Sequence, residues 1–245
     1  MESNYGETAR EFKKFIEAFN HTSWRVRVIA VSYLPHYNRS IATALLDKAL
    51  TDSHKAVRVA ALEACATLAP SHPIAPIVAA LSDTEWSVRA TAAWVLGRFS
   101  QRAPLDRLLA ILNDDDEDVI VRASALHALG SLGPRAPAAH IIATLDNPAW
   151  HLREVAALSL GNLPAKIAIK PLVQATHDSD PLVRAAAASS LRQMGEYAPR
   201  DVLLNLLNDE DANVSRTAVW VLGELSEACT SKEDCLYRAI LDLQT

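Results

Sequence analysis

The chain has 245 residues, of which 50% are hydrophobic, so it can bury a sizeable core. Its formal net charge of −5 argues against nonspecific binding to nucleic acid or to an anionic membrane, because both require a basic surface. The 3 cysteines provide no disulfide framework, and no apolar run reaches membrane-spanning length. Because the charged N-terminus also lacks a signal-peptide core, we expect a cytoplasmic protein that does not enter the membrane.

The first predicted helix covers residues 6–19, where Phe12, Ile16 and Phe19 would pack on the segment that follows. From residue 22 onward one phrase recurs around an arginine. These arginines are Arg27, Arg58, Arg89, Arg122, Arg153 and Arg184, separated by 31, 31, 33, 31 and 31 residues. The next copy has Ser215 at that position, beside Arg216. Repetition at a fixed short period indicates a solenoid in which each repeat buries its apolar face against its neighbours.

Each copy reads as a helix with one buried stripe. Counted from the residue before the arginine, positions 0, 4, 7, 8 and 11 are apolar or small. In the third copy they are Val88, Ala92, Val95, Leu96 and Phe99. A polar residue that can cap the helix start stands six positions before each arginine. These residues are Asp52, Asp83, Asp116, Asn147 and Asp178, with His21 in the first copy and Asp209 in the last.

The spacing of aspartate, five residues and arginine, together with the phrase VRxxAAxALG, resembles HEAT-repeat proteins, particularly the short bacterial HEAT-like type. The resemblance implies an all-α, right-handed α-solenoid of about seven helix pairs with N- and C-terminal capping helices. In that family the aspartates and arginines form a ladder between successive repeats. The ladder residues implied here are Asp52, Arg58, Asp83, Arg89, Asp116, Arg122, Arg153, Asp178 and Arg184. Arg122 is expected to be buried beside Asp116 or the equivalent acid of a neighbouring repeat.

We expect a single solenoid over residues 1–245. Its repeats fall at about residues 6–37, 38–69, 70–101, 102–133, 134–164, 165–196 and 197–227, and a capping helix follows at 231–245. Each repeat comprises a first helix, a short acidic turn and the second helix that carries the arginine. The first helices are predicted near residues 40–50, 73–82, 104–113, 136–146, 166–176 and 199–208. The acidic turns are either solvated caps or a rim that meets a basic partner or a divalent cation.

All five tryptophans fall on the second helices, at two positions that share the side opposite the buried stripe. The resemblance places this side on the concave surface of a solenoid. The predicted partner-binding residues are Trp24, Trp86, Trp94, His127, Trp150, Glu154, Leu158, Arg216 and Trp220. Alternatively, the indoles pack between neighbouring second helices.

Motifs for catalysis are absent: there is no phosphate-binding glycine loop, no GxSxG and no HExxH. His151 and Glu154 have a spacing that can hold a metal, but two ligands alone do not make a site. Some HEAT-like proteins bind a di-iron centre through His-Glu dipeptides, which this chain lacks. Cys65 reads as a core residue, whereas Cys229 and Cys235 are reduced thiols, a redox pair or half of a metal site. We predict no catalytic residue, metal or cofactor.

These observations favour a non-catalytic scaffold, a monomer or weak homodimer, that holds a protein segment of unknown identity in its concave groove. Similar short repeats occur in phycobilin lyase subunits, so a subunit that binds a tetrapyrrole or a phycobiliprotein is an alternative. Nucleic-acid binding is a second alternative, but it has less support. It needs a basic concave face, and only Arg98, Arg192 and Arg216 approach that face.

Overall fold

The computed structural model describes residues 12–69 and 72–227, which are largely helical and contain no strand. The chain divides into two compact units, an N-terminal half that ends at Ala128 and a C-terminal half that begins at Leu129. The predicted capping helix at 231–245, Cys229 and Cys235 lie outside the described residues. The division into individual repeats stays a prediction.

Helix α1 covers residues 12–19. The second helices are α2 (Trp24–Tyr33), α4 (Lys55–Leu68), α6 (Trp86–Gly97), α8 (Val119–Gly130), α10 (Trp150–Leu160), α12 (Pro181–Leu191) and α14 (Ala212–Glu227). The first helices are α3 (Arg39–Ala49), α5 (Ala75–Ala79), α7 (Leu105–Leu112), α9 (Ala138–Ala143), α11 (Ala165–Ala175) and α13 (Arg200–Asn205). The predicted all-α fold of consecutive helix pairs is therefore confirmed. Helices α5, α9 and α13 are shorter than predicted because a 3-10 turn continues each of them.

The core lies between the helices of each half. Helix α4 packs on α2 and α6 in the N-terminal half, and α12 packs on α10 and α14 in the C-terminal half. The stripe predicted for α6 is buried, and Phe99 at its end is among the largest fully buried side chains. Each such side chain contributes roughly 1.5–3 kcal/mol of burial free energy.

Helix α1 packs on the segment that follows, as predicted, because Phe19 is buried and the ring of Phe12 lies 6.0 Å from that of Tyr37. The prediction omitted Phe15. Phe15 and Phe19 are buried, whereas Phe12 and Ile16 are only partly covered. The ring of Phe15 lies 4.4 Å from that of Tyr37, centroid to centroid. The sequence could not distinguish these neighbouring phenylalanines because both belong to one amphipathic turn.

Arginine–carboxylate pairs connect successive repeats in the N-terminal half. Nε and Nη2 of Arg27 donate to the two carboxylate oxygens of Asp52, both at 2.8 Å. Arg58 binds Asp83 in the same way, at 2.7 and 2.8 Å. The remaining donor, Nη1 of Arg58, reaches the carbonyl oxygen of Asp52 in its own repeat at 2.8 Å. We call these pairs and their equivalents below the arginine ladder; each arginine joins the turn of its own repeat to the turn of the next.

The same pairing recurs in the C-terminal half. Arg153 binds both carboxylate oxygens of Asp178, and Arg184 binds both oxygens of Asp209, all at 2.8 Å. The side chains of Arg184 and Asp209 are each only 9% exposed. The hydrogen bonds from Arg184 lower the pKa of Asp209 despite the opposing effect of burial. Since the folded pKa is lowered, this stabilisation is present above the unfolded value of about 3.9 and is lost as pH falls through the folded value.

The ladder aspartates cap the turn and not the helix itself. Oδ1 of Asp178 accepts the backbone N–H of Asp180 at 2.8 Å, and Asp180 is the N-cap of α12. Asp180 in turn accepts the N–H of Leu182 at 2.9 Å. The capping function predicted for the ladder position is therefore performed by the residue two positions later in this repeat.

Asp116 is not the ladder acid of its repeat. Glu117 takes that place, with its two carboxylate oxygens 2.8 and 2.7 Å from Nε and Nη2 of Arg89. Arg122 binds Asp115 at 2.9 Å and the carbonyl oxygen of Leu112 at 3.1 Å, so it is bonded within its own repeat. The two extra residues in this turn shift its register, and the longer glutamate side chain reaches Arg89.

Glycines allow successive second helices to approach closely. A Cβ added to Gly97 would lie 2.8 Å from Cα of Ala128, and one on Gly130 would lie 2.5 Å from Cβ of Ser159. A side chain at either position must push the neighbouring helix away. Gly223 on α14, at the same repeat position, has no described atom within 4 Å of an added Cβ.

Replacing Arg58 with glutamine leaves the carboxylate of Asp83, only 13% exposed, without its charged partner. We expect a loss of about 3 kcal/mol in the free energy of unfolding, the low end for a buried pair. The matched variant Arg122→Gln removes a pair with Asp115, which is 90% exposed, so water can replace the arginine there. Its loss should be about 1 kcal/mol. Urea unfolding of both variants measures the difference, and equal losses would show that the ladder pair has no special role.

Alanine at Gly130 should destabilise the fold by about 1–3 kcal/mol, because its Cβ clashes with Ser159. Alanine at Gly223 meets no neighbour among residues 12–69 and 72–227 and gains helix propensity, so it should be neutral or stabilise by up to about 1 kcal/mol. Urea unfolding provides the comparison. A Gly130→Ala variant as stable as Gly223→Ala would contradict the close approach of Gly130 to Ser159.

Candidate functional site

The tryptophans of the second helices are partly or largely exposed. Trp86 and Trp94 on α6 are 44% and 39% exposed, and Trp220 on α14 is 47% exposed. Trp24 and Trp150, at the starts of α2 and α10, are partly covered. None of the five is a core residue, although the opposite side of the same helices is buried.

In the N-terminal half, cationic or imidazole groups lie against two of the indoles. The ring of His54 stacks on Trp24 with centroids 4.3 Å apart and planes 5° from parallel. The guanidinium of Arg25 lies 4.7 Å from the centroid of the same indole. Arg98, the C-cap of α6, lies 5.8 Å from the centroid of Trp94. His127, on α8, is exposed. The exposed surface of these second helices, from Trp24 to His127, is called the N-terminal face below.

In the C-terminal half, α10 carries three of the predicted residues. His151 stacks on Trp150 with ring centroids 3.5 Å apart. Glu154 is partly covered, and Leu158 is 44% exposed. His151, one of the two side chains whose spacing suits a metal, is therefore engaged in an aromatic contact. Among the described residues, no group of three or more His, Cys, Asp or Glu side chains could hold a metal ion.

Helix α14 carries the remaining two predicted residues. The guanidinium of Arg192, just after α12, lies 4.9 Å from the centroid of Trp220 and 3.9 Å from a carboxylate oxygen of Glu224. Arg216 is exposed and donates to the carbonyl oxygen of Ala212 and to the side chain of Asn213. Trp220 and Arg216 therefore lie on the exposed side of α14.

The prediction missed exposed aliphatic residues on the same helices. Ile120 on α8, Leu182 on α12 and Val219 on α14 are all large, apolar and exposed. Ile120 and Leu182 occupy the position just before the buried stripe begins, so the repeat register could have identified them. They extend the apolar character of the second helices beyond the tryptophans.

A family model for HEAT repeats matches four overlapping stretches of the sequence, residues 42–130, 74–161, 116–192 and 169–234. The chain belongs to the HEAT-repeat family. The resemblance read from the repeated phrase and its spacing is thereby confirmed. A search among curated proteins found no match.

Two solved structures share the fold of this HEAT-repeat protein. A chain of the complex of CpcE and CpcF of phycocyanin lyase from Nostoc sp. PCC7120 is 21% identical, with a TM-score of 0.59, over 92% of this chain and 91% of that chain. A chain of the Kap95:Nup1 complex is 16% identical, with a TM-score of 0.68, over 95% of this chain and 37% of that chain. At these identities the similarity shows the fold alone. No described helix has the length and apolar character needed to cross a membrane.

In the N-terminal half, a buried histidine and a buried cysteine lie near a partly exposed aspartate, residue types that act as catalytic groups in many enzymes. Nε2 of the buried His72 lies 3.6 Å from Oδ1 of Asp47, beyond hydrogen-bonding distance. Neither ring nitrogen nor that oxygen has a hydrogen-bond partner among the described residues. Burial lowers the pKa of His72, although Asp47 opposes the shift. Burial raises the pKa of the Cys65 thiol to about 12, so a nucleophilic thiolate does not form there.

Replacing His72 with leucine should flatten the pH dependence of stability. Because the folded pKa of His72 is lowered, the unfolded chain takes up the proton first as the solution is acidified. The stability tied to the neutral ring is present above about pH 6.5 and is lost as pH falls below it. Melting temperatures at about pH 7.5 and about pH 5.5 should therefore differ less in His72→Leu than in the native protein. The exposed His140→Leu variant is the control, and the same flattening there would contradict the assignment.

Proposed function

We propose that this HEAT-repeat protein is a non-catalytic scaffold that holds a segment of a partner protein on the exposed side of its second helices. The observation that carries the proposal is the exposure of Trp86, Trp94 and Trp220 on helices whose other side is buried. Exposed apolar patches on folded proteins usually mark interaction sites, and tryptophan is enriched among residues that dominate binding energy.

The contacts that hold the second helices in place do not use these indoles, so a partner can contact their exposed faces. On α6, Val88 and Leu96 fill the core, Gly97 contacts α8, and Arg89 takes part in the arginine ladder. Trp94 lies outside all three sets of contacts. A partner can therefore bind its indole without disturbing the packing of the repeats.

The chemistry of the reactive residues supports a non-catalytic role. The Cys65 thiol is buried with a raised pKa, and the His72 ring is buried beside Asp47. Neither lies on the exposed side of a second helix. The free thiol of Cys65 also suits a reducing compartment, so we place the protein in the cytoplasm, as a monomer or a weak homodimer.

A second candidate is a subunit related in function to phycocyanin lyase, with the second helices binding a tetrapyrrole or a phycobiliprotein. It is favoured by the similarity to a chain of the CpcE–CpcF complex over nearly the whole of both chains. A bilin absorption band that co-purifies with the native protein and disappears in Trp94→Ala would favour this candidate over the scaffold.

The test of the scaffold measures stability and binding on the same preparations. Trp94→Ala and Trp220→Ala should each leave stability within about 0.5 kcal/mol of the native value, because exposed side chains contribute little to folding. Each should weaken partner capture about 30-fold, which corresponds to roughly 2 kcal/mol. Thermal melting and quantitative pull-down from source cells provide the two readings.

Arg107→Ala, an exposed residue on the first helix α7, is the control and should change neither reading. If both tryptophan variants instead melt early, the indoles are structural and the proposed surface is wrong. The same conclusion follows if both variants retain full capture.

A further inference from the structure

We infer that the segment bound at Trp94 is acidic as well as apolar: it places a hydrophobic side chain on the indole and a carboxylate on Arg98. This inference rests on the proposed function and specifies the chemistry of the partner. It arises from the arginines of the N-terminal face, which differ in their bonding from the arginines of the ladder.

In a ladder arginine, each of the three guanidinium nitrogens donates a hydrogen bond. Arg58 uses Nε and Nη2 on the carboxylate of Asp83 and Nη1 on a backbone carbonyl oxygen. Arg98 is exposed, and no described carboxylate lies within ion-pairing distance of it. Its described contact is the indole of Trp94, at 5.8 Å. A guanidinium against an aromatic ring keeps its in-plane N–H donors available for a carboxylate.

The same pairing occurs at two other tryptophans. Arg25 lies 4.7 Å from the centroid of Trp24, and Arg192 lies 4.9 Å from that of Trp220. Arg192 also lies 3.9 Å from Glu224, which partly neutralises it. Arg25, like Arg98, has no ion pair among the described residues, but His54 also stacks on the indole of Trp24. On the N-terminal face, Trp94 and Arg98 therefore form the pair in which an exposed indole and a cation without a described acid lie side by side.

The charges near the end of α6 favour an anion over a cation. Arg98 is followed by the exposed Arg102, whose guanidinium lies 5.6 Å from the ring centroid of Phe99. On the second helix α4, the repeat position of Trp94 carries Glu63. Residues 94–104 thus carry two cations and no acid, whereas the whole chain is acidic with a net charge of −5.

An acidic peptide fits these features better than a nucleic acid. A single strand could also stack a base on Trp94 and place a phosphate on Arg98. However, the exposed Asp114, Asp115 and Asp116 belong to the turn whose Glu117 binds Arg89 near the start of α6, so a polyanion that runs along this helix would meet them. A short segment that carries few carboxylates among apolar side chains needs only the local cation and avoids this repulsion.

Selection of random 12-residue peptides displayed on phage against the immobilised full chain tests the inference. Peptides that bind the native protein and lose binding to Trp94→Ala define the ligands of this face. We expect them to be enriched in Asp and Glu next to Phe, Leu or Trp, and depleted in Lys and Arg. Synthetic versions of the best peptides, with each acid replaced by its amide, are then compared by fluorescence anisotropy.

Arg98→Gln should weaken the acidic peptides about tenfold or more and leave their amide versions unchanged. Arg107→Gln, at an exposed site on α7, should alter neither. Trp94-dependent peptides that are neutral or basic would overturn this inference and leave the scaffold intact. Tighter binding of a uridine 12-mer RNA than of any acidic peptide would also overturn it. If no selected peptide depends on Trp94, the proposed function fails with it.

Discussion

Within each half of this protein, successive repeats depend on one interaction, a carboxylate held by two N–H donors of a guanidinium from the preceding repeat. Arg122, which is bonded within its own repeat, is the exception. In the pair of Arg58 and Asp83, the arginine also binds the carbonyl oxygen of Asp52, and the aspartate also accepts the backbone N–H of Glu85. Each pair therefore ties two turns together at the starts of adjacent second helices. This places the helices where small residues such as Gly97 and Ala128 can meet.

In the proposed function, the arginine ladder and the close packing provide stability, whereas the exposed side of the second helices provides recognition. The buried side of α6 and its starting turn hold the repeats together, and its exposed side has no such role. Trp86 and Trp94 can therefore contribute to binding at little cost to the fold. The arginines follow the same division, because Arg89 is bonded to Glu117 whereas Arg98 lies against an exposed indole.

The sequence predicted the features that recur with the repeat period. It failed at residues whose contacts depend on the register of a single turn. The helix pairs and the buried stripe of α6 follow from periodicity alone. The ladder acid at the acidic turn could not be chosen, because two extra residues let Glu117 and Asp115 take the places expected of Asp116. The sequence could not decide the exposure of the tryptophans, because their positions fit both an open face and packing between helices. In the structure Trp86, Trp94 and Trp220 are exposed, whereas Trp24 and Trp150 are partly covered.

The buried His72 beside Asp47 had no signal in the sequence, since a single histidine outside the repeated phrase has no register to compare. Its lowered pKa arises from tertiary burial, which composition does not reveal.

A double-mutant cycle on Arg58 and Asp83 tests the central claim most directly. The variants Arg58→Gln, Asp83→Asn and the double variant are unfolded in urea, and the coupling free energy is calculated from the three losses. If the ladder pair fixes successive repeats, the coupling should be about 2 kcal/mol, because the second substitution removes a charge already left without its partner. Losses that simply add, with a coupling near zero, would contradict the account.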